Sequence, residues 1–153
     1  MRFYPGSGYY RGMTLKDWLL SKPHRTITDE CTASPYLKRW HLLRTPWFAV
    51  MLHYFLRSDF DRALHDHPWS FITFLLSAGY WEHTEAGGRQ WKRRFSLLRR
   101  PATWRHRVEI VKPCWTLVIH FNQTRQWGFY TPNGFVQWDK YDYAKNCQGE
   151  SHD

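Results

Sequence analysis

Nine short runs rich in Val, Ile, Phe, Trp, Tyr and Thr succeed one another between Tyr36 and Trp138, and turn signals separate them. They fall at 36–44, 47–57, 69–76, 78–84, 90–98, 105–112, 115–122, 125–130 and 134–138. Aromatic and β-branched side chains fit the pleated, half-buried surface of a strand. Thr45-Pro46, Ser77-Ala78-Gly79, Ala86-Gly87-Gly88, Lys112-Pro113 and Pro132-Asn133-Gly134 supply the breaks. The last of these sits between Phe129-Tyr130 and Phe135-Val136 and reads as a hairpin. No long amphipathic helix interrupts the series. Strands this short and this evenly spaced bury their apolar faces only by closing on themselves or packing sheet on sheet, so the expected class is all-β, a sandwich or barrel.

The flanks read differently. Residues 1–12 form an irregular arm, and Thr14 to Leu20 predicts a short helix. Thr14 caps it, Asp17 follows in register, and Lys22-Pro23 ends it. Residues 23–35 read as a loop. The expected organisation is an arm with a short helix over 1–35, a barrel over 36–140 and a polar tail over 141–153. A chain of 153 residues is one domain. At that size about 68–70% of the unfolded surface is buried on folding, so neither metal nor disulfide is needed merely to hold the fold. Aromatics at 19%, with ten tryptophans, exclude a disordered chain and favour a rigid pocket.

Charge narrows the partners. Lys and Arg number 22 against 13 Asp and Glu, a net +9, and most of the cations are Arg. Guanidinium groups suit phosphate and carboxylate, so the field favours nucleotides, nucleic acid or small acids. General solubility accounts for the charge equally well. Cys31, Cys114 and Cys147 show no Cys-x-x-Cys spacing, and their odd number fits reduced intracellular thiols. The first twelve residues lack the apolar core of a signal peptide, and no run of apolar residues is long enough to span a bilayer. A cytoplasmic protein without membrane association is expected.

The chemistry concentrates in His65-Asp66-His67-Pro68-Trp69. Two histidines two apart on an extended segment point to the same side. A third from a distant strand can close a three-nitrogen site, and His106 in Pro101-Ala102-Thr103-Trp104-Arg105-His106 is the candidate. Three imidazoles with open positions suit a catalytic divalent metal, because the free positions accept water, oxygen or substrate. A surface pair in an Asp/His-rich loop is the plainer reading of His65 and His67, but the pair, its spacing and the third histidine together favour ligation. Asp66 alternates away from the metal and is expected to orient a ligand or shape a turn. Pro68 stiffens the exit, and Trp69 packs.

These residues carry a resemblance. The run Asp61 to Trp69, with Gly79 twelve residues past His67, resembles the first motif of the cupin superfamily: a His-x-His pair, a Glu a few residues later, then a Gly. Pro101-x-Thr103-x-x-His106 is similar to the second motif, Pro-x-Gly-x-x-His, and the spacer over 80–100 fits a hairpin. The resemblance covers residues 36–138. It extends in particular to small cupin-like proteins with His-Asp-His-Pro-Trp, some of them phage-encoded. It implies a double-stranded β-helix, a jelly-roll barrel, with one divalent metal ion on His65, His67 and His106; iron, zinc, manganese and nickel all fit. Two departures matter. The motif's Glu falls near Phe71 or Ile72, neither of which binds metal. Thr103 replaces the second motif's Gly, and Ile110 stands where Asn is common. The site is then three-His, as in thiol dioxygenase relatives, or takes an acid from elsewhere: Glu82, just past Gly79, or Asp61, four residues before His65. His120 ends the run from Thr116 and could face the barrel lumen. His53 and His83 also lie on predicted strands, where a histidine is more often a hydrogen-bonded core residue than a ligand. His24, His41 and His152 carry no signal.

Lys92-Arg93-Arg94, Arg99-Arg100, Arg105 and Arg107 interleave with Trp91, Phe95 and Trp104. Alternation turns Arg105 and Arg107 away from His106, toward an exposed basic stripe. Such a stripe can bind single strands or nucleotides, although a solvated sheet face is the simpler reading. Arg125 and Trp127, near a hairpin, are placed to guard a barrel mouth and hold a substrate carboxylate or phosphate. There is no Gly-rich phosphate loop, no Gly-x-Ser-x-Gly elbow and no nucleophile signature at the cysteines. The expectation is a small metalloenzyme acting on a small anionic substrate. Dioxygenase chemistry comes first, because a neutral three-His set resembles thiol dioxygenases; isomerase or lyase chemistry comes next. The alternatives are a non-enzymatic module that binds a nucleotide, nucleic acid or protein, and a structural barrel that has lost its metal. Open sheet edges and the resemblance both imply a homodimer.

Overall fold

A computed structural model describes residues 23–29, 32–59 and 63–143. The helix expected over Thr14 to Leu20, and Asp61, lie outside the described residues. The strands are β1 (Arg25–Thr28), β2 (Pro35–Arg44), β3 (Phe48–Phe55), β4 (Leu64–His65), β5 (Phe71–Leu75) and β6 (Tyr80–Thr84). They continue with β7 (Gly88–Lys92), β8 (Leu97–Arg100), β9 (His106–Ile110), β10 (Cys114–Phe121), β11 (Gly128–Thr131) and β12 (Gly134–Gln137). One 3-10 turn, Trp138–Lys140, follows. No helix among the described residues is long and apolar enough to cross a membrane.

Alternation decides which side chains go inside. On β3, Ala49, Met51 and His53 are buried while Phe48, Val50 and Leu52 are half-exposed; on β10 Cys114, Thr116 and Val118 are buried between half-exposed neighbours. The strands assemble into two six-stranded sheets, ordered β1-β2-β3-β10-β5-β8 and β12-β11-β4-β9-β6-β7, with every pairing antiparallel. Sequence neighbours such as β3 and β4 sit in different sheets, which is how a jelly roll closes two Greek keys. The core joins the layers: Leu75 and Cys114 of the first sheet pack with Tyr80 and Val108 of the second. Met51, Phe71 and Val118 form a second cluster under Trp69. Each such side chain contributes about 1.5–3 kcal/mol by leaving water.

Two readings of the sequence are corrected. The single strand expected over 90–98 is two strands in different sheets. A turn closed by Ser96 N–H to the Arg93 carbonyl at 3.1 Å carries the chain across, with Phe95 at φ +67°. That break has no Gly or Pro to announce it. The loop expected over 23–35 contains β1, which pairs with β2 along Arg25–Arg39, Thr26–Lys38 and Ile27–Leu37. Thr-, Asp-, Ser- and Pro-rich neighbours hid a strand with one apolar residue.

Gly79, in contrast, is where the motif requires it. A Cβ there would stand 2.4 Å from the Lys92 carbonyl oxygen and 2.6 Å from the Trp91 ring. The β11–β12 hairpin turns as read, with Gly134 at φ +109°.

Candidate metal centre

His65 closes β4, a strand of two residues held between β9 and β11. It pairs with His106 on one side and Phe129 on the other. His67 lies just beyond the strand, where its N–H donates to the Ala102 carbonyl at 3.1 Å. The extended path turns both rings to one side, and His106 arrives from β9. One ring nitrogen from each of the three falls within 4.8 Å of the others. His67 Nε2 and His106 Nε2 are 2.8 Å apart. His106 is buried, and the other two are half-buried.

Asp66 points the other way, as alternation requires, and is wholly buried. Its carboxylate accepts from Gly128 N–H at 2.9 Å, from the Tyr130 hydroxyl at 2.7 Å and from the Arg125 guanidinium. Its own N–H donates to the Gly128 carbonyl at 3.1 Å. The histidine pair is therefore pinned to β11 through the residue between them.

Glu82 on β6 stands behind His106. It is 1% exposed, and its Oε1 lies 3.0 Å from His106 Nδ1. A carboxylate only accepts, so Nδ1 carries a proton, and in the neutral ring that leaves Nε2 as the nitrogen able to ligate. Trp104 Nε1 donates to the same oxygen at 3.1 Å; Arg100 donates through Nε at 3.0 Å and Nη2 at 2.5 Å, and Lys92 Nζ lies 3.5 Å away. Burial pushes the Glu82 carboxyl up. The hydrogen bonds and charges of His106 and Arg100 outweigh it and hold the group down to about 2. Glu82 is thus an ionised anchor. Burial, then His106 and His65, pushes His67 well below the usual imidazole range, so it is neutral, as a ligand must be. Three imidazoles on a common focus, one fixed by a carboxylate, can hold one divalent ion.

The centre opens on a cavity of about 400 Å³ between the sheets. Trp69, Phe71, Met51, Val118 and Trp127 form apolar walls around it. The Phe71 ring lies 4.5 Å from His67, and Trp127 lies 6.4 Å from His65 while stacking on Trp138.

The other candidate residues divide. Trp127 lines the cavity; Arg125 does not, because Asp66 holds it. His120 does not line the cavity either: its ring stacks on Trp69 at 4.3 Å, and Trp69 stands on the lumen side. His53 does line it, and accepts from Arg39 Nε at 2.9 Å. His83 pairs with Glu109 at 2.6 Å. Of the basic stripe, Arg105 and Arg107 turn outward, Arg105 over the Tyr130 ring and Arg107 toward His83. Arg100 and Lys92 turn inward to Glu82. Sequence reasoning missed Arg100 and Trp104 as the donors to Glu82, and Arg39 altogether. Nothing local signals them, since each contact joins residues 14 or more apart in sequence.

No protein-family profile matches the chain, and no curated protein matches it. Solved structures do. The DMSP lyase DddQ from Ruegeria pomeroyi DSS-3 is 16% identical with a TM-score of 0.53, over 65% of this chain and 54% of that one. KdgF from Halomonas sp. is 16% identical with a TM-score of 0.51, over 65% and 94% of the two chains. The polyketide cyclase RemF from Streptomyces resistomycificus is 14% identical with a TM-score of 0.50, over 58% and 68%. The matched region is about half the length of that DMSP lyase. What is shared at these identities is the fold, the double-stranded β-helix of the cupins.

Proposed function

We propose that this cupin-fold protein is a metal-dependent enzyme acting on a small anionic molecule in its lumen. One observation carries the reading: three imidazole nitrogens from two separate segments converge at the wall of a cavity large enough for a small ligand. A purely structural histidine cluster has no need of such a space beside it. A bound divalent ion would supply Lewis acidity or one-electron chemistry, with coordination positions left open toward the cavity. The chain supplies the rest. Glu82 fixes the tautomer and tilt of His106, and Asp66 fixes the backbone that presents His65 and His67. Trp69, Phe71 and Trp127 keep water from the reacting end.

Dioxygenation, with molecular oxygen as the co-substrate, is the first reaction assigned, because the donor set is neutral imidazole alone. Isomerisation or elimination is the second. Fold neighbours named as a lyase and a cyclase favour it, by analogy of fold only. The test is conversion of a panel of small carboxylic acids, thiol-bearing ones included, by protein reloaded anaerobically with ferrous iron or with zinc. Iron-dependent oxygen uptake with a product heavier by two oxygen atoms supports dioxygenation. Conversion without added oxygen supports the second chemistry, and His106→Ala should abolish either. No conversion by either reloaded form, with the same acids binding equally to parent and His65→Ala/His67→Ala protein, would overturn the enzyme reading in favour of a binding module.

A further inference from the structure

The sheet that faces the histidines presents a row of polar side chains to the same lumen. Cross-strand register places Arg25 beside Arg39, Arg39 beside His53, and His53 beside Thr116, across β1, β2, β3 and β10. All four line the cavity. Arg39 spends its Nε on His53, at 2.9 Å. Neither Arg25 nor Arg39 makes an ion pair with any described carboxylate. Asp59, the one acid among the described residues that line the cavity, is taken by the Tyr36 hydroxyl and by Val108 N–H at 2.5 Å. Thr116 is 0% exposed, yet its hydroxyl has no hydrogen-bond partner among the described residues. A buried polar atom in that state is uncommon and marks a place where a partner belongs.

Electrostatics agree with geometry. Burial, then the neighbouring Arg25, lowers the pKa of Arg39, as expected of a cation in a poorly solvated place beside a like charge. Burial, then Arg39, holds His53 well below the usual imidazole range, so His53 is a neutral acceptor and adds no charge of its own. The row is therefore a built, cationic wall without a counter-ion among the described residues.

We propose that Arg39, with Arg25 and Thr116, forms a subsite for the carboxylate of a small acid whose other end reaches the histidine centre. The terminal nitrogens of Arg39 offer a fork matched to two carboxylate oxygens, and Thr116 adds a third donor. A phosphate would bring three oxygens to a wall with few donors. Met51 and Val118 stand one step along β3 and β10 from His53 and Thr116, and they pack on Phe71, which touches His67. The ligand class is thus a carboxylate joined by a short apolar spacer to a metal-binding head. This proposal rests on the reading of the histidines as a metal centre.

The test uses cobalt(II)-loaded full-length protein, whose visible spectrum reports on the metal, with two probes: imidazole and 3-(imidazol-4-yl)propanoate. The carboxylated probe should bind the parent roughly ten- to a hundredfold more tightly than imidazole, the range expected of a charge-assisted contact. Arg39→Met should close that gap, and Thr116→Val should narrow it, with imidazole affinity unchanged in both. The proposal falls if the parent shows no gap, if Arg39→Met keeps it, or if a phosphonate analogue binds more tightly than the carboxylate. Should Arg39→Met fail to fold by circular dichroism, Arg39→Lys, which keeps the charge and loses the fork, replaces it. A protein that takes up no cobalt overturns the metal reading. Calorimetry of propanoate binding, parent against Arg39 variant, then decides the anion subsite alone.

Discussion

Glu82 accepts from His106, Trp104 and Arg100 at a site almost closed to water, and this fixes what its removal does. Glu82→Gln keeps the shape and loses the charge that orients His106. Metal affinity should fall about 10- to 100-fold in competition with a chelating dye. Glu82→Ala leaves the largely buried Arg100 guanidinium without its counter-ion, and should lower stability by about 2–4 kcal/mol in urea unfolding. The exposed pair Arg105–Glu85 is the control: at 2.6 Å it is as short, yet Glu85→Ala should cost under about 1 kcal/mol. A larger loss there, or a smaller one at Glu82, would contradict the assignment of the buried pair. At this scale the sequence was partly legible. The grouping of His65, His67 and His106 was legible because the first two stand two apart and the third sits in a recognisable Pro-x-Thr-x-x-His run. Glu82 stood only as one candidate acid among two. Arg100 looked like one more member of a basic run, because its role depends on a partner in the other sheet.

Among the elements, the β5–β6 turn is tightly constrained. Gly79→Ala would drive a methyl group against the Lys92 carbonyl, and backbone cannot swing aside as a side chain can. A loss of about 1–3 kcal/mol is expected, read as a lower melting temperature with an unchanged circular dichroism spectrum. An unaffected melting temperature would mean that β6 and β7 can part at no cost. Strands bounded by Gly, Pro or Asn were readable, as at Gly134 and Gly88. The break at Arg93 to Ser96 was not, because Phe95 adopts a left-handed conformation without the residue that usually permits it. β4 was invisible for another reason: two residues carry no periodicity, and only pairing to β9 and β11 makes them a strand.

At the scale of the molecule, the described residues form two sheets around a lumen that is apolar in its walls, basic at one row and histidine-lined at another. The all-β class was legible because turn signals and alternation act within a few residues, while the double-stranded β-helix came from the motif resemblance alone. The lumen's cationic row was not legible, since it exists only when four strands stand in register. The same closure shields Cys114, which is 0% exposed, with its thiol pushed up to about 11 by burial. Only about one in a thousand of these thiols is ionised at pH 8, so iodoacetamide should leave Cys114 unlabelled until the protein unfolds, as peptide mapping can show. Rapid labelling of the folded protein would mean that the sheets open. Elemental analysis of protein purified without a His tag or chelator, beside the His65→Ala/His67→Ala variant, decides whether the three histidines hold a metal ion. Near-stoichiometric metal is expected in the parent and none in the variant, with the element choosing between oxygen and Lewis-acid chemistry. Metal in neither, and a parent that fails to bind added iron, zinc, manganese or nickel, would contradict that.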